Sequence, residues 1–398
     1  GIANVTFAVC NTDSQSLSSL DIPVKVAIGE LGAGGDPEVG RVNAQKHIDE
    51  IKSLFNDGTK MVFITAGMGG GTGTGAAPVV ASVARDMGIL TIGVVTIPFY
   101  FEKKEKIIKA LKGVELIRKN VDALLIVNNE RICDIYSDSD MSVKDAFKCA
   151  DMILCDATKS ISELITTIGT INLDFCDVET TMRNGGDAIM AIGRGSGDLR
   201  VQKAIVDALD SPLLYGNDIS KAKRILFNVY TSSKNELKVR EMKEVDAFMD
   251  ALDPNIKVIW GVSGDDSLGD DAKVTIIATG ADSTFKSLDS GDDEKRGDER
   301  FYDLIKQLYK PYKRKNLIFS KPENDTEVKE ETVQAEEKPV QEDTEPVGEK
   351  SVTQVPVHEQ YEQYKDRITV QGTRKKAQSF IDKIKGELEK RLSDIVNE

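Results

Sequence analysis

Apolar and polar positions follow two rhythms along the first 320 residues. Continuous β-branched runs, "VTFAVC", "MVFIT", "ILTIGVVTI" and "ALLIVNN", read as strands buried on both faces. Between them, "VGRVNAQKHIDEIKSLF", "AAPVVASVARDM" and "KKEKIIKALKGVELIRKN" carry apolar residues at helical spacing. The order βαβαβ predicts a doubly wound parallel sheet. A long helix pattern follows at about 142–168. Four more strand-like runs come next, "GDAIMAIG", "RILFNVY", "NIKVIWGV" and "KVTIIATG". Helices "LRVQKAIVDAL" and "EVDAFMDAL" lie between the earlier ones, which predicts a second, smaller α/β domain.

Near residue 320 both rhythms stop. Residues 321–360 hold 12 acids against 4 lysines, and valine is almost the only large aliphatic residue. Such a stretch cannot bury enough apolar surface to order itself and reads as a solvated tether. Beyond it, Ile381, Ile384, Leu388, Leu392 and Ile395 form one helical stripe within "SFIDKIKGELEKRLSDIVNE". The cluster Arg374, Lys375, Lys376 lies just upstream. A partner protein's groove fits this mixed-charge helix better than an anionic membrane; self-association is the alternative.

Composition narrows the partners. A net charge of −14 over 398 residues argues against non-specific nucleic-acid binding. No apolar run approaches the roughly 18 residues of a membrane span. Five cysteines without a CxxC pair fit reduced thiols in a cytoplasm. With His47 and His358 the only histidines, a zinc site or a histidine-based triad is hard to build. The chain opens at Gly1 directly into a strand-like run, as a fragment lacking its true N-terminus would.

The candidate chemistry sits in "GMGGGTGTGAAP" (67–78), which follows a strand and opens a helix. A tight turn needs one or two glycines; six in nine positions suggest close backbone approach to an anion. A lysine-bearing P-loop is excluded because Gly75 is followed by Ala76 and Ala77. Gly71, Gly73 and Ala76 satisfy the dinucleotide spacing, but "TIGVVTI" offers no acid for the ribose, which weakens an oxidoreductase reading. A nest of amides at a helix N-terminus remains, with Thr72 and Thr74 as hydroxyl donors, suited to a nucleotide polyphosphate.

"GGGTGTG" (69–75) resembles the signature loop of the tubulin/FtsZ family. "NTD" (11–13), "LGAGGDPEVGR" (31–41), "VVTIPFYFE" (94–102), "NLDFCDV" (172–178) and "SPLL" (211–214) extend the resemblance in order over about residues 1–280. "PFYFE" and the short second domain place it nearer the bacterial cell-division branch than eukaryotic tubulin. The resemblance implies a cytoplasmic GTPase, polymerising head to tail at the mid-cell division site, with GTP/GDP and Mg²⁺. The alternative is a nucleotide-binding filament protein with little hydrolysis.

The implied organisation is a GTP-binding domain over 1–150, lacking the family's first strand and first glycine loop. A central helix (151–170), an activating α/β domain with a basic extension (171–320), a linker (321–378) and an amphipathic helix (379–398) follow. The resemblance assigns Gly32, Ala33 and Gly34 to sugar and phosphate, and Gly69, Gly70, Gly71, Thr72, Gly73 and Thr74 to the phosphates. It gives Glu102 to the ribose, Phe147 to base stacking, Asp151 to the guanine edge, and Asn129 to support. Lys106 stands where many members carry arginine, which keeps the charge but not the planar fork. Alone, Phe147 would read as a core aromatic and Asp151 as a solvated helix residue. Asn172, Asp174 and Asp177 are implied to act on the nucleotide of the next subunit; by themselves the two aspartates suit helix capping better. The tail is implied to reach a membrane-tethering adaptor and division proteins, although the usual short apolar adaptor peptide is replaced by the 379–398 stretch.

Overall fold

The computed structural model describes residues 5–136, 140–167, 169–211, 214, 219–281, 284–285 and 297–310. The linker 321–378, the amphipathic stretch 379–398 and part of "SPLL" lie outside these residues.

Ten strands and eleven α-helices are described. The strands are β1 (Ala8–Asn11), β2 (Val24–Ala27), β3 (Met61–Gly67), β4 (Leu90–Ile97), β5 (Ala123–Asn128), β6 (Gly169–Ile171), β7 (Gly186–Gly195), β8 (Arg224–Thr231), β9 (Lys257–Gly264) and β10 (Ala272–Thr279). The first helices are α1 (Ser14–Ser18), α2 (Pro37–Lys46), α3 (Ile48–Ser53), α4 (Thr72–Asp86), α5 (Lys104–Arg118) and α6 (Glu130–Tyr136). They are followed by α7 (Val143–Thr166), α8 (Phe175–Met182), α9 (Arg200–Leu209), α10 (Met242–Ala251) and α11 (Arg300–Leu308).

β3, β4 and β5 run parallel, as the βαβαβ pattern predicts, and every residue of β4 is buried. β1 departs from that pattern: it pairs with β2 in a separate two-stranded parallel ladder. The predicted helix over 39–55 is broken at His47, whose ring contacts the Asn43 carbonyl at 2.8 Å, so α2 and α3 are distinct.

The eight-stranded sheet has the order β3-β4-β5-β7-β10-β8-β9-β6. The second half of the chain therefore continues the first half's sheet. The join is short and parallel, with Ala123, Leu124 and Leu125 opposite Gly186, Asp187 and Ala188. Arg118 at the end of α5 reinforces it, donating to Asp187 and to the Phe285 carbonyl. In the second half, β10 lies antiparallel between β7 and β8.

Helix α7 begins at Val143, at the start of the pattern expected at about 142–168, because Ser142 caps it by accepting from the Asp145 amide. Ala157, Ile161 and Leu164 pack into a core shared by β4, β5, β7 and β8. The spine helix thus spans both halves of the sheet. Helix α11 belongs with the first half rather than the second. Its Phe301, Leu304, Ile305 and Leu308 enter the α5 core, and buried Arg131 donates to the Leu308 and Lys310 carbonyls.

All five cysteines are free thiols, and burial pushes those of Cys10 and Cys133 up to about 11. Among the described residues no helix is long and apolar enough to cross a membrane.

Candidate nucleotide site and hydrolytic loop

The glycine loop leaves β3 and enters α4 at Thr72. Two hydrogen bonds fold it: the Met68 amide donates to the Thr96 carbonyl, and the Gly69 amide to Thr74 Oγ1 at 2.8 Å. Thr74 is buried, so its hydroxyl shapes the loop from inside, whereas Thr72 stays partly accessible. Gly69 has φ of +105°, and a Cβ there would stand 2.9 Å from Pro98 and Lys106 atoms. Gly70 faces open space. No side chain caps the N-terminus of α4, so its first amides have no side-chain acceptor at the cap. A cluster of unsatisfied N–H groups at the positive end of a helix suits a phosphate.

The remaining glycines are also required by packing. A Cβ on Gly75 would stand 1.9 Å from the Pro37 carbonyl oxygen, and one on Gly73 2.5 Å from that of Gly67. A Cβ on Gly71 would stand 2.6 Å from Ala33 Cβ, and one on Gly40 2.4 Å from the Gly71 carbonyl oxygen. Helices α2 and α4 therefore meet backbone to backbone. The loop bearing Gly32, Ala33 and Gly34 is pressed against Gly71 through Ala33. Gly32 and Gly34 have φ of +85° and +56°, a region favouring glycine. The Gly32 amide donates to the Thr12 carbonyl, which ties this loop to "NTD".

The other wall follows β4. Glu102 accepts from the Phe99 amide at 3.0 Å and pairs with Lys106. Lys106 in turn lies against Gly69, so the expected ribose and phosphate residues adjoin. Phe99 stacks on Phe101 with centroids 5.0 Å apart, and Phe147 meets Phe99 edge-on, also at 5.0 Å. Phe101 and Phe147 remain exposed, forming an aromatic platform. Phe101 is a residue the sequence reading missed; its signal was three aromatics in the four positions of "PFYF". Asp151 stands one turn beyond Phe147 on α7, and desolvation holds its carboxyl above the usual range. Asn129 follows β5, with its buried Oδ1 lacking a donor. The site thus lies at the C-terminal ends of parallel strands, where α/β sheets bind ligands.

Asn172, Asp174 and Asp177 lie elsewhere, beyond the far end of α7. Asn172 Oδ1 accepts from the Gly169 amide at 3.3 Å. Asp174 caps α8, accepting from the Asp177 amide at 3.0 Å, while Asp177 Oδ2 accepts from the Asp174 amide at 3.0 Å. The two aspartates thus form a capping box, each using one carboxylate oxygen. Asp174 is exposed and Asp177 half-buried, and capping engages only one oxygen of each carboxylate in these two bonds. The helical rise of about 1.5 Å per residue puts Thr166 roughly 28 Å from Phe147 along α7.

The described residues contain no group of three carboxylate, histidine or cysteine ligands that could cage a metal. A Mg²⁺ ion at this site would be held chiefly by the nucleotide's phosphate oxygens.

Two family models match the chain: the Tubulin/FtsZ family GTPase domain over residues 3–137 and the FtsZ family C-terminal domain over 186–282. Cell division protein FtsZ of Porphyromonas gingivalis is 45% identical over 331 residues, covering 78% of this chain and 72% of that protein. The Aquifex aeolicus FtsZ is 42% identical over 284 residues, covering 70% of this chain and 77% of that protein. A solved FtsZ dimer from M. jannaschii superposes with a TM-score of 0.65 at 40% identity, covering 70% of this chain and 82% of that one. CetZ2 of Haloferax volcanii, a GTPγS-bound protofilament, has a TM-score of 0.57 at 17% identity, covering 74% and 88%, a likeness of fold. With the glycine loop, the aromatic platform and the distant aspartate loop in one chain, this protein is a member of the tubulin/FtsZ family of GTPases, in its FtsZ branch.

Proposed function

We propose that this chain binds GTP in the pocket between the α4 N-terminus and Phe147, and that each subunit's Asn172–Asp177 loop hydrolyses the nucleotide of its neighbour. One observation carries the trans assignment: about 28 Å of helix separates the loop from its own pocket, beyond any side chain's reach. A head-to-tail filament brings one subunit's loop to the next subunit's phosphates. There Asn172, Asp174 and Asp177 would orient a water; its oxygen bonds to the γ-phosphorus as the bond to the β-phosphate oxygen breaks, giving GDP and phosphate. The remaining carboxylate oxygens orient the water and accept its proton. Gly70 and the first α4 amides hold the phosphates, Glu102 the ribose and Asp151 the guanine edge. Mg²⁺ accompanies the triphosphate and would offset its charge.

The test is complementation. Asp177→Ala should bind GTP within a few-fold of wild type and turn over almost none. Asp151→Asn should bind GTP poorly while keeping an intact loop. Mixed, the two chains should regain turnover, because one supplies the pocket and the other the loop. A mixture as inactive as its parts would overturn the trans assignment.

The stripe Ile381, Ile384, Leu388, Leu392 and Ile395 is the proposed handle for a membrane-tethering adaptor at mid-cell, with the acidic linker as tether. Deleting 379–398 should leave turnover and filaments nearly intact and abolish localisation at the division site. Lost polymerisation with retained localisation would assign the stripe to the filament instead.

A further inference from the structure

The aspartate loop is seated on strand β9 at a point without a side chain. β6 runs antiparallel to β9, with Gly169 opposite Ser263 and Ile171 opposite Val262, and a register shift between them. The next residue back on β9 is Gly261. A Cβ there would stand 2.7 Å from Leu173 Cγ, 2.8 Å from Asn228 Oδ1 and 2.9 Å from the Ile171 carbonyl oxygen. Leu173, between Asn172 and Asp174, is the loop's buried anchor, entering the core with Leu226 and Tyr230. Asn228 is the cross-strand neighbour of Gly261, fully buried and donating to Ser263 Oγ at 3.0 Å. One face of this seat is backbone, one a core side chain and one a fixed amide, so none can swing aside.

We propose that Gly261 is a positioning residue for hydrolysis: its missing side chain lets Leu173 drop against Asn228, which sets how far Asn172 and Asp174 project. This rests on the reading of 172–177 as the hydrolytic loop. Ordinary carbon contacts are about 3.5–4.0 Å, so a methyl at 261 lifts the loop by about 1 Å. A displacement of about that size can cost on the order of a hundredfold in rate. The nucleotide pocket, at the other end of α7, is untouched.

The experiment uses the full chain with Gly261→Ala, and with Leu173→Val as a milder loosening of the same seat. Both should bind GTP and form filaments as wild type does. Turnover per bound GTP should fall about a hundredfold in Gly261→Ala and severalfold in Leu173→Val, as a kcat effect with KM unchanged. Mixing Gly261→Ala with Asp151→Asn should restore turnover, because the second chain brings a correctly seated loop; a general loss of structure would not be rescued. If Gly261→Ala does not fold, Leu173→Val decides by the same kcat and mixing readouts. Normal turnover in the seat variants with loss in Asp177→Ala overturns the positioning role alone. Normal turnover in Asp177→Ala as well overturns the hydrolytic reading and this role with it. GTP affinity falling in step with turnover would also overturn the proposal.

Discussion

The hydroxyls of Thr12 and Thr72 meet at 2.5 Å, although sixty residues separate them in the chain. Thr12 follows β1 and is fully buried; Thr72 is the first residue of α4. Their contact pins the small β1–β2 ladder to the N-terminus of α4, the proposed phosphate-binding end. Thr12→Val keeps the shape and removes the hydroxyl. It should cost about 1–2 kcal/mol in urea unfolding and lower GTP affinity a few-fold, while Thr12→Ser stays near wild type. Unchanged stability in the valine variant would mean that the contact holds nothing.

Gly75 and Gly70 separate packing from binding. A Cβ at 75 collides with the Pro37 carbonyl oxygen at 1.9 Å, whereas a Cβ at 70 meets nothing within 4 Å, and Gly70 has no positive φ. Gly75→Ala should destabilise the fold by about 3 kcal/mol or more. Gly70→Ala should leave stability within about 0.5 kcal/mol and weaken GTP binding, since its methyl would enter the proposed phosphate space. Thermal unfolding and nucleotide titration of both variants check this; the reverse ranking would relocate the phosphates.

Asp151→Asn tests base reading. A carboxylate can accept both guanine donors, and an amide cannot. Losing such a charge-assisted pair costs about 1.5–3 kcal/mol, roughly ten- to a hundredfold in affinity. Competition between GTP and ATP measures it. Wild-type selectivity in the variant would place base recognition elsewhere.

The same residue sets a pH dependence. Desolvation raises the Asp151 carboxyl above its ordinary value. A carboxyl whose folded pKa is raised binds its proton more tightly in the fold, so in the free protein this group opposes folding at neutral pH and stops doing so as pH falls. Bound guanine reverses that preference by favouring the ionised form. GTP should therefore raise the melting temperature more near neutral pH than near about pH 5. In Asp151→Asn this component of the pH dependence should vanish. An identical pH profile in wild type and variant would exclude Asp151 as the titrating group.

Local periodicity determined much of this protein before any tertiary contact was known. The apolar runs of β3, β4 and β5 and the stripes of α4, α5 and α7 were legible because each is set by neighbours a few residues away. The glycine loop was legible as an anion site for the same reason, and the ordered motifs carried the family. What the tertiary structure decided depends on residues distant in the chain. β1 pairs with β2 because the ladder forms between separated segments. Ala123–Leu125 and Gly186–Ala188 join two expected domains into one sheet, a contact without any periodic signal. Gly71, Gly73 and Gly75 are glycine because Ala33, Gly67 and Pro37 approach them, so the glycine-rich loop is also a packing seam. Helix α11 settled on α5 because that apolar face was still uncovered and Arg131 needed carbonyl partners. The seat of Leu173 at Gly261 is likewise invisible in one dimension: a missing side chain has meaning only once the structure shows what would have struck it.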